Sequence, residues 1–239
     1  MNADPPRIVI LNPNTTAEFT TRLATAARRI VAPGTTVIAR SPARGPASIE
    51  CHADEAAALP NLLALIAEEE DLGAGAYVIA CFGDTGIDAA REIAAGPVIG
   101  MTEAALFAAA MLAARFSIIT LPPRTIAQSE RVLRHVGLAH RCHVRAIDAD
   151  VQDCVGLDEA LLAAMLAESR AALLEDRAEA IILGCAGLSD LVAPMRAALG
   201  VPVLEGVGIA VTMAEGFLRT GLRTSKTLTY ATPSMAPAR

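Results

Sequence analysis

Tyr77-Val-Ile-Ala-Cys81-Phe-Gly-Asp84 and Ala180-Ile-Ile-Leu-Gly-Cys185-Ala-Gly187 are the two stretches that decide the fold of this chain. Each is a short apolar run that closes on a cysteine and a glycine-containing turn, with a helix-like segment behind it. A second short apolar run then follows: Gly96-Pro97-Val98-Ile99-Gly100 after the first, Gly200-Val-Pro202-Val203-Leu204 after the second. Pro97 lies 16 positions beyond Cys81, and Pro202 lies 17 beyond Cys185. The opening strands correspond as well. Ile10-Leu11-Asn12-Pro13-Asn14-Thr15-Thr16 matches Ile119-Thr120-Leu121-Pro122-Pro123-Arg124-Thr125, each with a polar residue, a proline turn and a helix start. Two such matches in the same order mark an internal repeat.

Working outward, Arg7–Leu11, Thr36–Ala39, Tyr77–Ala80 and Pro97–Ile99 form one set of expected strands. Ser117–Thr120, Val144–Ile147, Ala180–Leu183 and Val201–Leu204 form the second. Continuous apolar strands suit a parallel sheet covered on both faces. Between them, Ala17–Val31, Asp54–Glu70, Asp88–Ala95, Thr125–Val136, Leu157–Asp176 and Leu188–Leu199 are expected helices, and Ala104–Ala114 a buried one. Thr15 or Thr16, and Asp158, are placed to cap. The expected fold is α/β: two similar lobes of right-handed βαβ units, related by a pseudo-two-fold, with the active-site cleft between them. Residues 1–100 form the first lobe and 101–207 the second, with the crossing near Gly100–Glu103. Residues 208–239, with a helix over about Gly208–Leu222, pack back on the first lobe.

Ligands of open α/β sheets bind beyond the carboxyl ends of the strands. Cys81, Cys185, Asn12 and Thr120 all fall there. A free thiol, with a pKa of about 8.5, can be tuned to act as base or acid. Racemisation at a carbon acid needs one of each on opposite faces, plus donors to hold the resulting enolate-like anion. Gly83 and Gly187, each two residues past a cysteine, suit backbone N–H donors at a helix start. Taken alone, either cysteine is better explained as a small core hydrophobe; it is their equivalent places that favour chemistry. Cys51, Cys142 and Cys154 lack that symmetry and are read as incidental.

Composition removes other classes. The chain is 53% hydrophobic and 19% charged with a net charge of −6, which permits a large core and disfavours a nucleic-acid partner. The acidic run Glu68–Asp71 is read as the end of a solvated helix. Five cysteines, an odd number, do not make a disulfide framework. Met1–Pro6 lacks the apolar stretch of a secretion signal, and no window has the roughly 18 apolar residues of a membrane span. The expectation is therefore a cytoplasmic protein with no membrane partner. His135, His140, Cys142 and His143 fit no common zinc spacing and are placed on an exposed link after a helix; no metal is expected. Gly73-Ala-Gly75 precedes a strand, so it is no dinucleotide loop, and neither a P-loop nor a G-x-S-x-G elbow is present. No cofactor is expected.

Asn12-Pro13-Asn14-Thr15-Thr16, Pro46-Ala47-Ser48-Ile49-Glu50, Cys81-Phe82-Gly83-Asp84 and Gly184-Cys185-Ala186-Gly187 together resemble the signatures of hydantoin racemases. That family lies in the aspartate/glutamate racemase superfamily and includes allantoin racemases. The likeness runs from Ile8 to Gly221-Leu222-Arg223-Thr224-Ser225-Lys226. It implies cofactor-independent racemisation of 5-substituted hydantoins, allantoin among them, with Cys81 and Cys185 as the two bases, and a homo-oligomer. It also implies that Asn12, Ser48 and Thr120 meet the ring's polar edge, and that Phe82, Gly83, Ala186 and Gly187 supply or flank backbone donors. Cys51 stands where the pattern has glycine and Thr85 where it often has proline. Arylmalonate-type decarboxylases, maleate-type isomerases and small-molecule-sensing α/β modules remain as alternatives. Cys81 counts against the first, and the lack of further fixed cationic contacts counts against the second. Two opposed thiols would be superfluous in the third.

Overall fold

Strand β1 (Arg7–Leu11) places Ile8, Val9, Ile10 and Leu11 completely out of solvent, which only a strand covered on both faces requires. In the computed structural model, which describes residues 6–156 and 158–233, it is followed by α1 (Ala17–Arg28), β2 (Thr36–Arg40), α2 (His52–Asp71), β3 (Ala76–Ile79), α3 (Ile87–Ile93) and β4 (Val98–Gly100). Then come α4 (Met101–Leu112), β5 (Phe116–Thr120), α5 (Ile126–His135), β6 (Cys142–Ala146), α6 (Glu159–Glu175), β7 (Ala180–Leu183), α7 (Val192–Leu199), β8 (Val203–Leu204) and α8 (Gly206–Thr220). The strands form two four-stranded parallel sheets, β2-β1-β3-β4 and β6-β5-β7-β8. The second order is the first shifted by four, so the repeat seen in the sequence is a repeat of topology. The fold is the expected α/β architecture of two similar lobes.

The helix after each sheet's last strand crosses to the other sheet. Helix α4 packs on β7, and α8 packs on β1, β3 and β4, with the two helices against each other. Met101 and Ala104 join Val207, Ala210, Val211 and Ala214 in the core beneath the first sheet. One turn on, Ala105, Leu106 and Ala109 join Phe116, Ile118, Ala180 and Ile182 beneath the second. Full burial of a valine such as Val207 or Val211 contributes about 1.5–3 kcal/mol, so this exchange holds the two sheets at a set distance.

Some expectations change. Leu157, the expected start of α6, lies outside the described residues, as do the ends 1–5 and 234–239; Asp158 caps α6 by accepting from the Leu161 N–H at 2.8 Å. Thr16 occupies the cap position of α1, but its hydroxyl donates to the Ala47 carbonyl at 2.8 Å instead of serving the helix. Strand β6 begins at Cys142, paired with Phe116, so Cys142 and His143 lie in a strand and His135 ends α5. Those residues are therefore not one exposed link. Among the described residues, no three His, Cys, Asp or Glu side chains gather as a metal site. The acidic end of α2 is not simply solvated, because Glu69 is fully buried and paired with both Arg7 and Arg40. No helix among the described residues is long and apolar enough to cross a membrane.

Candidate active site

The carboxyl ends of β1, β3, β5 and β7 converge on one small cavity of about 40 Å³ between the two sheets. Cys81 and Cys185 both line it, and both are free thiols. Asn12, Phe82, Thr120, Ala186 and Gly187 line it with them. Ser48 and Gly83 do not: Ile49 takes the wall position beside Ser48, and Gly83 opens onto a neighbouring cavity of about 320 Å³. The Gly83 N–H donates to the Thr102 hydroxyl at 2.8 Å and is not the free donor expected there.

Two of the expected polar contacts already have partners inside the protein. Asn12 donates to Asn14 Oδ1 at 2.9 Å and Thr20 Oγ1 at 3.0 Å, which fixes the Asn12-Pro13-Asn14 turn. Thr120, almost fully buried, has its hydroxyl between Thr125 Oγ1 at 2.9 Å and the Gly184 carbonyl at 3.2 Å. That closeness explains Gly184, since a Cβ there would sit 2.6 Å from that of Thr120.

The two thiols sit in unlike surroundings. Cys81 opens toward the cavity yet is enclosed by protein. Burial pushes its pKa up to about 12, and the negative charge of Cys185, Glu55 and Asp84 adds to the rise. The Thr85 hydroxyl, 3.6 Å from its sulfur, opposes the rise without overcoming the burial. Cys185 is shifted the other way. The neighbouring Cys154 thiol is the chief influence holding its pKa below the ordinary thiol range, against the opposing effect of burial and with help from the Gly187 N–H and the charge of Arg22. Cys154 is raised in turn. Cys154 is thus not incidental. It sits on a short 3₁₀ turn, Val151–Val155, and is fully buried in the same core cluster as Cys185.

Each lobe also reaches across to the other's cysteine loop. Arg22, on α1, donates to the Gly187 carbonyl at 2.9 Å and to the Cys154 carbonyl at 2.8 Å. Arg131, on α5, donates to the Gly83 carbonyl at 3.1 Å and pairs with Glu55. The two arginines occupy matching helices, and each holds the glycine two residues past the opposite thiol. A further anchor is Asp84, whose backbone is left-handed (φ 51°) and whose carboxylate accepts from the Thr102 and Glu103 N–H groups at 2.8 and 2.9 Å. Burial and the nearby Glu103 charge push its pKa up to about 7. Sequence reading assigned no role to either arginine or to Asp84. For the arginines, the available signal was their matching place in the repeat.

Comparison with known proteins bears on this geometry. A hydantoin racemase from Rhizobium meliloti is 44% identical over 232 residues, covering 97% of this chain and 96% of that protein. A second, from Pseudomonas sp. strain NS671, is 40% identical over 228 residues, covering 95% and 92%. An allantoin racemase structure from Klebsiella pneumoniae superposes with a TM-score of 0.95 at 40% identity, covering 98% of this chain and 96% of that one. The family model of Asp/Glu/hydantoin racemases matches residues 8–214, and the chain belongs to that racemase family.

Proposed function

We propose that this enzyme inverts C5 of 5-substituted hydantoins, allantoin among them, by proton transfer between Cys81 and Cys185 without a cofactor. The substrate class is supported by the hydantoin and allantoin racemases it resembles. The observation that carries the chemistry is one cavity lined by two thiols at equivalent strand ends, with opposite shifts in proton affinity. In this scheme residues 1–100 and 101–207 each supply one thiol. At rest Cys185 is the thiolate and Cys81 the thiol. The Cys185 sulfur takes the C5 proton of one enantiomer, and the electron pair spreads onto the adjacent carbonyl as an enolate. Cys81 then returns a proton to the opposite face. No atom is lost and nothing is oxidised or reduced. The enzyme is left with the protons exchanged between its thiols, the form that the other enantiomer requires. Ala186 and Gly187, at the start of a 3₁₀ turn over Ala186–Leu191, supply N–H groups at the cavity wall. By the same family likeness the enzyme works in the cytoplasm as a homo-oligomer on a small-molecule substrate.

The test is polarimetry on enantiopure allantoin and on 5-isobutyl and 5-benzyl hydantoins, in chelator and with no added cofactor. Decay of optical rotation with unchanged mass is expected. Loss of carbon dioxide, or dependence on an added metal, would refute the assignment.

A further inference from the structure

The cavity is built by a repeat, but its two end walls differ. Arg22 and Arg131 are counterparts, and three residues before each stands a side chain that lines the cavity: Phe19 on α1 and Gln128 on α5. Their placement matches. A Cβ on Gly187 would meet the Phe19 ring at 3.0 Å, and one on Gly83 would meet Gln128 Cβ at 3.4 Å. One wall is therefore aromatic and the other carries a carboxamide.

Gln128 is only 3% exposed, and its Nε2 has no hydrogen-bond partner among the described residues. A buried amide donor without a partner carries a desolvation penalty that nothing in the free protein offsets, so its presence calls for a ligand. Thr125 and Ser129 on either side of it also line the cavity, but their hydroxyls donate to the Pro122 and Thr125 carbonyls, and the rest of the lining includes the apolar Ile49, Phe82 and Leu121. Gln128 lies on α5 and not on either thiol-bearing loop.

We infer that Gln128 is a specificity-determining residue whose carboxamide hydrogen-bonds a polar substituent at C5, and that it selects ureido-bearing hydantoins over those with a hydrocarbon side chain. The inference rests on the proposed hydantoin racemisation. A ureido group offers a carbonyl and an N–H side by side, which complements both ends of a carboxamide; an isobutyl group leaves Nε2 unpaired. Sites built to pair a polar group reject the analogue that lacks it. The contrast with Phe19 also gives a pseudo-symmetric cavity one preferred substrate orientation.

The experiment compares Gln128→Leu with the parent on enantiopure allantoin and 5-isobutylhydantoin, and measures thermal unfolding without ligand. The expected result is a fall of about 10–100-fold in the ratio of kcat/KM for allantoin to that for the isobutyl compound. The ligand-free variant should unfold at a higher temperature, because a buried unpaired donor has been removed. Gln128→Met serves the same purpose should the leucine variant fail to fold. Equal loss on both substrates would place Gln128 on the ring and overturn the inference, as would an unchanged ratio or a lowered unfolding temperature. A parent enzyme that racemises neither compound would instead overturn the proposed function.

Discussion

Replacing Cys154 with alanine should change the proton affinity of Cys185 while leaving both proposed acid–base groups in place. The Cys154 S–H is the largest influence holding Cys185 below the ordinary thiol range. A hydrogen bond to a charged acceptor contributes about 1.5–3 kcal/mol, and one pKa unit corresponds to about 1.4 kcal/mol. Loss of the donor should therefore raise Cys185 by about 1–2 units; the Gly187 N–H and Arg22 remain to limit the rise. The base acts as thiolate, so its active form is lost as pH falls through its pKa. In the variant the acidic limb of kcat/KM moves to higher pH by that same amount, about 1–2 units. Below the limb the variant should be about 10–100-fold slower than the parent. Cys154→Ser keeps an O–H donor and should fall between them. Both variants lose some packing in a tight core, at a cost of about 1 kcal/mol of stability, but packing loss alone does not move a pH limb. The assay is polarimetric kcat/KM across pH on an enantiopure hydantoin, with thiolate absorbance as an independent titration. An unmoved limb in the alanine variant, or equal shifts in both variants, would refute the reasoning.

Three further outcomes are expected. Cys81→Ala and Cys185→Ala should each abolish racemisation yet exchange the C5 proton with deuterated water for opposite enantiomers, measured by mass spectrometry against a protein-free control; exchange of the same enantiomer by both would end the two-base scheme. Asp84, with a folded pKa of about 7 against an ordinary 3.8, binds its proton more tightly when folded, so its contribution to stability declines as pH rises from about 4 to about 7 and is level above that. Asp84→Asn should remove that slope from unfolding temperature against pH, and a slope that persists would contradict it. Gly184→Ala drives a Cβ to 2.6 Å from that of Thr120 and should cost about 1–3 kcal/mol in chemical denaturation, whereas parent-like stability would mean that β5 and β7 part more readily than their packing implies.

Strands β1, β3, β5 and β7 were legible because parallel strands covered on both faces read as unbroken apolar runs, and Val9 or Ile181 has no polar alternative. Helix ends were less so. The segment expected as one helix from Leu188 opens with a 3₁₀ turn at Ala186–Leu191, and Thr125 ends a second turn before α5 begins. Such tightening depends on how the loop meets the cavity, not on local propensity. The repeat marks the two arginines, but the partners they hold in the other lobe were not legible, for a related reason. Arg22 is 165 positions from the Gly187 carbonyl that it holds, and no periodicity links them.

The repeat itself decided which parts of the site could be read. Features present in both copies, the thiols and their glycine turns, stood out because one copy confirmed the other. Features present in one copy had no such support, and these are the ones that make the two ends chemically different. Cys185 has the buried thiol of Cys154 beside it, where Cys81 has the Thr85 hydroxyl at 3.6 Å. Phe19 faces the cavity where Gln128 stands in the other half. A site duplicated without these departures would give its two sulfurs equal claim to one proton, and neither would rest as the base. In the proposed scheme the asymmetry in thiol surroundings, not the symmetry of the fold, decides which sulfur starts as the base.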